Sequence, residues 1–239
     1  PTAYIDANLV GFGNILEECR QHDVPQLVYA SSSSVYGSNT KLPFAESDQV
    51  DHPVSLYAAT KKANELMAHA YSNLYGLRAT GLRFFTVYGP WGRPDMALFT
   101  FTRNILAGES IPVYNHGQMS RDFTYIDDIV ETVVRIVDES FGGLIGKKLV
   151  HESEEAPHQI YNVGCGASVQ LMDFIAALEN CLGRKAKLDF LPTQKGEVLA
   201  TEADVTKLES AFGYRPQVKV EEGIARFVTW YRAYYGIEV

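Results

Sequence analysis

Twice before residue 86 the chain passes from a helical pattern into a short apolar run, and this repetition limits the fold more than any other feature. Ile5, Leu9, Phe12, Leu16 and Cys19 recur at helical spacing, the pattern stops near His22-Asp23, and Gln26-Leu27-Val28-Tyr29-Ala30 follows as a buried strand. After a polar loop holding Pro43 and Pro53, residues 57–75 read as a long helix closed by Gly76, and 79–85 read as the next strand. Helices alternating with buried strands require a parallel sheet with helices on its faces.

Past Gly89-Pro90-Trp91-Gly92 the pattern loosens. It predicts a helix at 97–106, strands at 111–114 and 122–126, and a helix at 129–137 entered through Asp128 and Glu131 as a capping box. Residues 160–163 read as a further strand. Ser168 is expected to cap a helix ending at Leu182 before Gly183, and a last amphipathic helix carries Ile224, Phe227, Val228 and Tyr231. Residues 141–157, glycine-rich and then acidic, are the most loop-like part, and no internal repeat is present.

With 46% apolar residues, 21% charged residues and a net charge of −8, the chain has the make-up of a globular protein without the basic tracts that bind nucleic acid. Cys19, Cys165 and Cys181 form no metal-ligand spacing, and three scattered thiols suit a reducing compartment, so a cytoplasmic setting is expected. The six histidines make no metal constellation, and no metal is expected. No run is long enough for a membrane span and no signal peptide is seen, but the chain opens at Pro1 and enters a helix with no strand before it. Its start is therefore expected to lie upstream.

The chemistry begins with Tyr57 and Lys61, four apart at the start of a helix and so on one face. A tyrosine of pKa about 10 is a poor base at neutral pH, and an adjacent ammonium lowers that value by stabilising the phenolate. Alone, the pair is a weak signal that a surface tyrosine beside a solvated lysine would equally give. Upstream, Ser31-Ser32-Ser33-Ser34-Val35-Tyr36-Gly37 follows the first strand, at the carboxyl end where open parallel sheets place their ligands. A polar turn would also explain the serines.

The order of these segments, followed by Leu82-Arg83-Phe84-Phe85-Thr86-Val87-Tyr88-Gly89-Pro90, resembles the NAD-dependent epimerase/dehydratase family of extended short-chain dehydrogenases that act on nucleotide sugars. Arg121-Asp122-Phe123-Thr124-Tyr125-Ile126-Asp127-Asp128, Tyr161-Asn162-Val163-Gly164 and Gly213-Tyr214-Arg215-Pro216 carry the resemblance onward. It implies an α/β fold: the C-terminal part of a Rossmann-like parallel sheet with helices on both faces, plus a smaller α/β substrate-binding domain. Residues 1–87 and roughly 118–165 would belong to the NAD-binding part, and roughly 88–117 and 166–239 to the nucleotide-sugar part.

Within the family, dehydratases resemble this chain but carry an Asp-Glu pair before Val-Tyr-Gly, and decarboxylases carry a Glu; here Ser33 and Ser34 stand instead. Hydride removal and return needs no added carboxylate, which points to a 4-epimerase. Pro90-Trp91-Gly92-Arg93-Pro94-Asp95-Met96-Ala97 and Asp51-His52-Pro53-Val54-Ser55-Leu56-Tyr57 resemble UDP-glucuronate 4-epimerases. The alternatives are UDP-glucose/galactose epimerisation, UDP-glucuronate decarboxylation, or non-catalytic nucleotide-sugar binding.

The resemblance assigns Tyr57, Lys61, Ser32 and Ser34 to catalysis, with Tyr57, Lys61, Phe84 and Val87 against NAD. Ser33, Thr86, Arg93, Arg121 and Glu197 would meet the UDP-sugar. Thr86 and Arg93 would hold the sugar carboxylate, though a diphosphate contact or a loop ion pair also accounts for Arg93. Arg121 would hold the diphosphate, or pair with Asp122. Asn162 would orient backbone near the cofactor, or serve as a turn asparagine. The glycine-rich turn that cradles a dinucleotide pyrophosphate occurs nowhere in this sequence, so the complete protein is expected to be the enzyme and the sheet to present an unpaired edge. The first two helices correspond to those that build a homodimer interface in the family.

Overall fold

The structure, a computed structural model, describes residues 1–142, 156–193 and 198–237. The first helix is α2 (Phe12–Gln21), continued towards the N-terminus by a π-helical stretch (Ile5–Gly11) and α1 (Thr2–Tyr4). It leads to β1 (Leu27–Ala30), then α3 (Leu56–Tyr75) and β2 (Ala79–Phe84). The Ser55 hydroxyl starts α3 by accepting from the Ala58 N–H at 3.1 Å, and Gly76 ends it with φ 71°.

β1 and β2 run parallel, and β6 (His158–Val163) lies parallel on the other side of β2, giving the order β1-β2-β6. Among the described residues only β2 pairs with β1, so the outer side of β1 is open. Leu16, Cys19, Tyr29, Ala68, Leu77 and Ala79 form the apolar layer joining this sheet to α2 and α3. Leu82, Ile129, Ile136, Val163 and Leu208 form another layer, beneath α5 (Ile126–Gly142) and α7 (Thr206–Phe212). The expected parallel sheet, covered by helices, is what forms.

A second assembly follows from β3 (Thr86–Tyr88), which pairs in parallel with β5 (Ser120–Tyr125); β7 (Ser168–Gln170) joins β5 antiparallel. Beside it, β4 (Ser110–Val113) pairs with β8 (Lys187–Phe190), and α4 (Ala97–Ala107), α6 (Leu171–Leu182) and α8 (Val220–Tyr235) enclose an aromatic core. Phe123 stacks on Phe174 there, with centroids 4.2 Å apart. Gly223 lets α8 approach, since a Cβ there would lie 2.0 Å from the Tyr88 hydroxyl.

Two local expectations are corrected. β5 runs directly into α5, which starts at Ile126, so Asp128 lies inside the first turn and makes no capping box. Its carboxylate instead accepts from the Tyr214 hydroxyl (2.6 Å) and the N–H groups of Gln217 (3.1 Å) and Val218 (2.8 Å), pinning that distant segment. Ser168 caps no helix: it opens β7, and the Leu171 N–H that starts α6 is taken by the Met119 carbonyl at 2.8 Å. β3, β8 and α7 were not foreseen; each is short and draws its form from the neighbour it packs against. Of the stretch read as loop, residues 143–155 lie outside the described residues.

Candidate active site

The carboxyl end of β1 releases the chain into Ser31 and Ser32, then a 3-10 turn, Ser33–Tyr36. The Ser32 hydroxyl caps this turn, accepting from the Ser34 N–H at 3.2 Å and donating to the Ser34 hydroxyl at 3.1 Å. Tyr57 sits in the first turn of α3, half-buried, with Lys61 one turn on. The Lys61 ammonium lies 5.9 Å from the centre of the Tyr57 ring and donates to the Ala30 carbonyl at 2.9 Å. Burial lowers the Lys61 pKa. The phenol, the ammonium and the end of the strand that carries the serines thus converge, as the spacing of Tyr57 and Lys61 predicted.

Beneath the serine turn runs a buried polar chain. The Ser31 hydroxyl donates to Glu65 Oε1 (2.7 Å), and the guanidinium of Arg83 clamps Glu65 through Nε (2.8 Å) and Nη2 (2.9 Å). Arg83 Nη1 also donates to the Tyr36 hydroxyl (3.1 Å), which donates to Asn162 Oδ1 (2.6 Å). Ser31, Glu65, Arg83, Tyr36 and Asn162 are each at most 3% exposed. Burial pushes the Glu65 carboxyl up, but Arg83, Ser31 and Lys62 together outweigh it and leave the pKa lowered. Burial drives the Tyr36 phenol up to about 12, so it stays a donor.

Asn162 occupies β6 and is no turn residue: its Nδ2 donates to the carbonyls of Phe44 (2.8 Å) and Asp204 (3.1 Å), tying two loops together. Glu65 and Arg83 received no role from the sequence. The available signal was spacing, since Glu65 lies four residues beyond Lys61 on the same helical face.

A cavity of about 470 Å³ opens between β3, α4, β5 and β7, with Thr86, Met96, Tyr114, Arg121 and Phe123 in its lining. Arg121 is anchored there by Nη1 donating to the carbonyls of Ser120 (3.0 Å) and Leu199 (3.1 Å). Asp122, next along β5, turns inward and accepts from the N–H groups of Cys165 (2.7 Å), Gly166 (2.9 Å) and Ala203 (3.0 Å). Burial raises the Asp122 pKa.

Arg93 is 72% exposed and paired with Asp95 at 3.1 Å, so the loop ion pair foreseen as one alternative is present. With Thr86 and Val87 it also borders a narrower pocket beside the first. Phe84 and Val87 pack against the apolar layer of Leu82, Ile129 and Val163. Ser33 is half-buried on the 3-10 turn, and Glu197 lies outside the described residues.

Residues 1–164 match the model of the NAD dependent epimerase/dehydratase family. The chain belongs to that family. An uncharacterised 37.6 kDa protein encoded in the cld 5' region of Escherichia coli O111:H- is 57% identical across 99% of this chain and 72% of its own length. A probable UDP-glucuronate 4-epimerase of Rhizobium meliloti (strain 1021) is 50% identical across 98% of this chain and 70% of its own length. The UDP-glucuronic acid 4-epimerase of Bacillus cereus, solved with UDP-glucuronic acid and NAD, is similar with a TM-score of 0.84 and 28% identity, covering 97% of this chain and 69% of that one. The architecture described above is the Rossmann-like α/β fold of this epimerase/dehydratase family.

The residues present suit one end of the family's cofactor. The ammonium of Lys61 and the phenol of Tyr57, at the end of a parallel strand, are donors that would suit a nicotinamide ribose.

Proposed function

We propose that this chain carries the nicotinamide-side and sugar-side residues of an enzyme for the NAD-dependent C4 epimerisation of a UDP-sugar, converting UDP-glucuronate to UDP-galacturonate through a 4-keto sugar. The observation that carries the reading is the Tyr57–Lys61 pair beside a strand end whose turn has serines at positions 33 and 34. Bound NAD supplies the means of taking up the C4 hydride and giving it back. Tyr57, as phenolate, removes the proton of the 4-hydroxyl and later returns it, while the Lys61 ammonium stabilises the phenolate. Ser32, already bonded to Ser34, bridges the sugar hydroxyl and Tyr57. The 4-keto uronate is a β-keto acid prone to lose carbon dioxide, and Thr86 with Arg93 hold its carboxylate against that loss. Arg121 meets the diphosphate from the wall of the larger cavity.

The cofactor side comprises residues 1–87 and roughly 118–165, and the sugar side roughly 88–117 and 166–239. Three free thiols fit a reducing compartment such as the cytoplasm. No helix among the described residues is long and apolar enough to cross a membrane.

Replacing Tyr57 with Phe is expected to lower turnover by about 10²–10⁴-fold while leaving UDP-sugar binding in place. Chromatography of the product formed from UDP-glucuronate separates the reactions: UDP-galacturonate supports the proposal, and a UDP-pentose would replace it with decarboxylation. Undiminished epimerisation by the Phe variant would remove Tyr57 from its role.

A further inference from the structure

The loop between β3 and α4 holds an aromatic side chain where a glycine is expected. Gly89-Pro90-Trp91-Gly92 is a tight turn closed by the Gly92 N–H on the Gly89 carbonyl at 3.3 Å, with proline in its second place and Trp91 at φ 61° in its third. A proline followed by a positive φ is the pattern of a type II turn, whose third place favours glycine or asparagine because a side chain there strains the backbone. Such strain persists only where the surroundings compensate it. Here Trp91, although 73% exposed, leans on α8: its ring centre is 5.0 Å from Tyr234 and 5.2 Å from Trp230, which stack on each other at 5.4 Å.

The same loop carries Arg93 two residues on and continues into Asp95, Met96 and Ala97, which line the larger cavity with Thr86. Arg93 itself borders the adjoining pocket. Within the loop the guanidinium is held by Asp95 (3.1 Å) and Met96 Sδ (3.3 Å), and the Trp91 ring contacts tie the loop that carries it to α8.

We propose that Trp91 is a specificity-positioning residue: by packing on Trp230 and Tyr234 it holds the loop that presents Arg93, and so sets the preference for a sugar bearing a carboxylate over a neutral one. This rests on the assignment of Arg93 to the sugar carboxylate, and the test separates the two.

Trp91→Gly, Trp91→Phe and Arg93→Ala variants of the intact, NAD-loaded protein are titrated with UDP-glucuronate and with UDP-glucose, by calorimetry and by KM and kcat. Glycine removes the backbone strain, so a merely conformational role for Trp91 predicts binding as good as the parent's. The proposal predicts that Trp91→Gly weakens UDP-glucuronate by about tenfold, as Arg93→Ala does, with UDP-glucose changed by less than about twofold and Trp91→Phe restoring most of the loss. The chain has two tryptophans, both in this cluster, so the intrinsic fluorescence should also respond to UDP-glucuronate in the parent. If Arg93→Ala discriminates against UDP-glucuronate and Trp91→Gly does not, the tryptophan role is overturned and the arginine assignment stands. If Arg93→Ala leaves UDP-glucuronate binding unchanged, the arginine assignment fails and takes the proposal with it. Equal weakening of both nucleotide sugars by Trp91→Gly overturns the proposal as well.

Discussion

Glu65 follows Lys61 by one turn of α3 and Tyr57 by two, so three polar side chains of one helical face descend from the site into the protein. The lowest of them meets Arg83, and neither charge has water to fall back on. Removing one partner strands the other, so Glu65→Gln or Arg83→Met is expected to cost about 3–5 kcal/mol in denaturant unfolding, whereas Tyr36→Phe, which removes one hydroxyl from the chain, costs about 1–3 kcal/mol. The sign of the acid response follows. Glu65 titrates lower in the folded protein than in the unfolded chain, so its stabilisation is complete above the unfolded carboxyl value of about 4.3 and is lost as pH falls through the folded value. The upper half of this arrangement was legible, because Tyr57, Lys61 and the serines are motif residues with a recognisable spacing. The lower half was not: a buried Glu–Arg pair looks in sequence like a surface residue on a helix and a stray cation in a strand.

The three strands of the first sheet are bridged across their middle member. The Tyr29 hydroxyl of β1 meets His158 Nε2 of β6 at 2.8 Å, passing over Gly81 of β2, where a Cβ would come within 2.6 Å of that hydroxyl. Burial drives the His158 pKa from 6.5 down to about 4, so the ring is neutral when folded and shares its hydrogen bond with the Tyr29 hydroxyl in that form. Its contribution is therefore present above pH 6.5 and drains away as pH falls towards about 4. Thermal melts between those limits should show a decline that His158→Gln flattens; an unchanged slope in that variant would remove His158 as its source. At this scale the long, strongly patterned elements were legible, including α3 with its Gly76 stop, while its Ser55 cap was not foreseen. Asp128 and Ser168 misled because capping residues were read from local sequence, while their partners, Tyr214 and β5, come from far along the chain.

Across the molecule, α2, α3 and the π-helical stretch leave Val10, Ile15, Leu66 and Leu74 between 51% and 67% exposed. Such a surface on paired helices supports association with a second copy, and Leu66→Glu is expected to shift the mass measured by light scattering from dimer to monomer; a parent that is already monomeric would count against the homodimer. The parallel sheet was legible from the helix–strand alternation, whereas the way β3, β5 and β7 combine was not, since β3 has three residues and takes its pairing from β5. One feature of the site reaches beyond this reaction. Ser33 and Ser34 stand half-exposed on a turn held from below through the buried side chains of Ser31 and Tyr36, with the Ser34 hydroxyl accepting from Ser32. The turn is a rigid mount with two replaceable fittings, so a lineage could exchange its chemistry at these two codons, acquiring an acid for elimination or carbon dioxide loss, without refolding anything underneath.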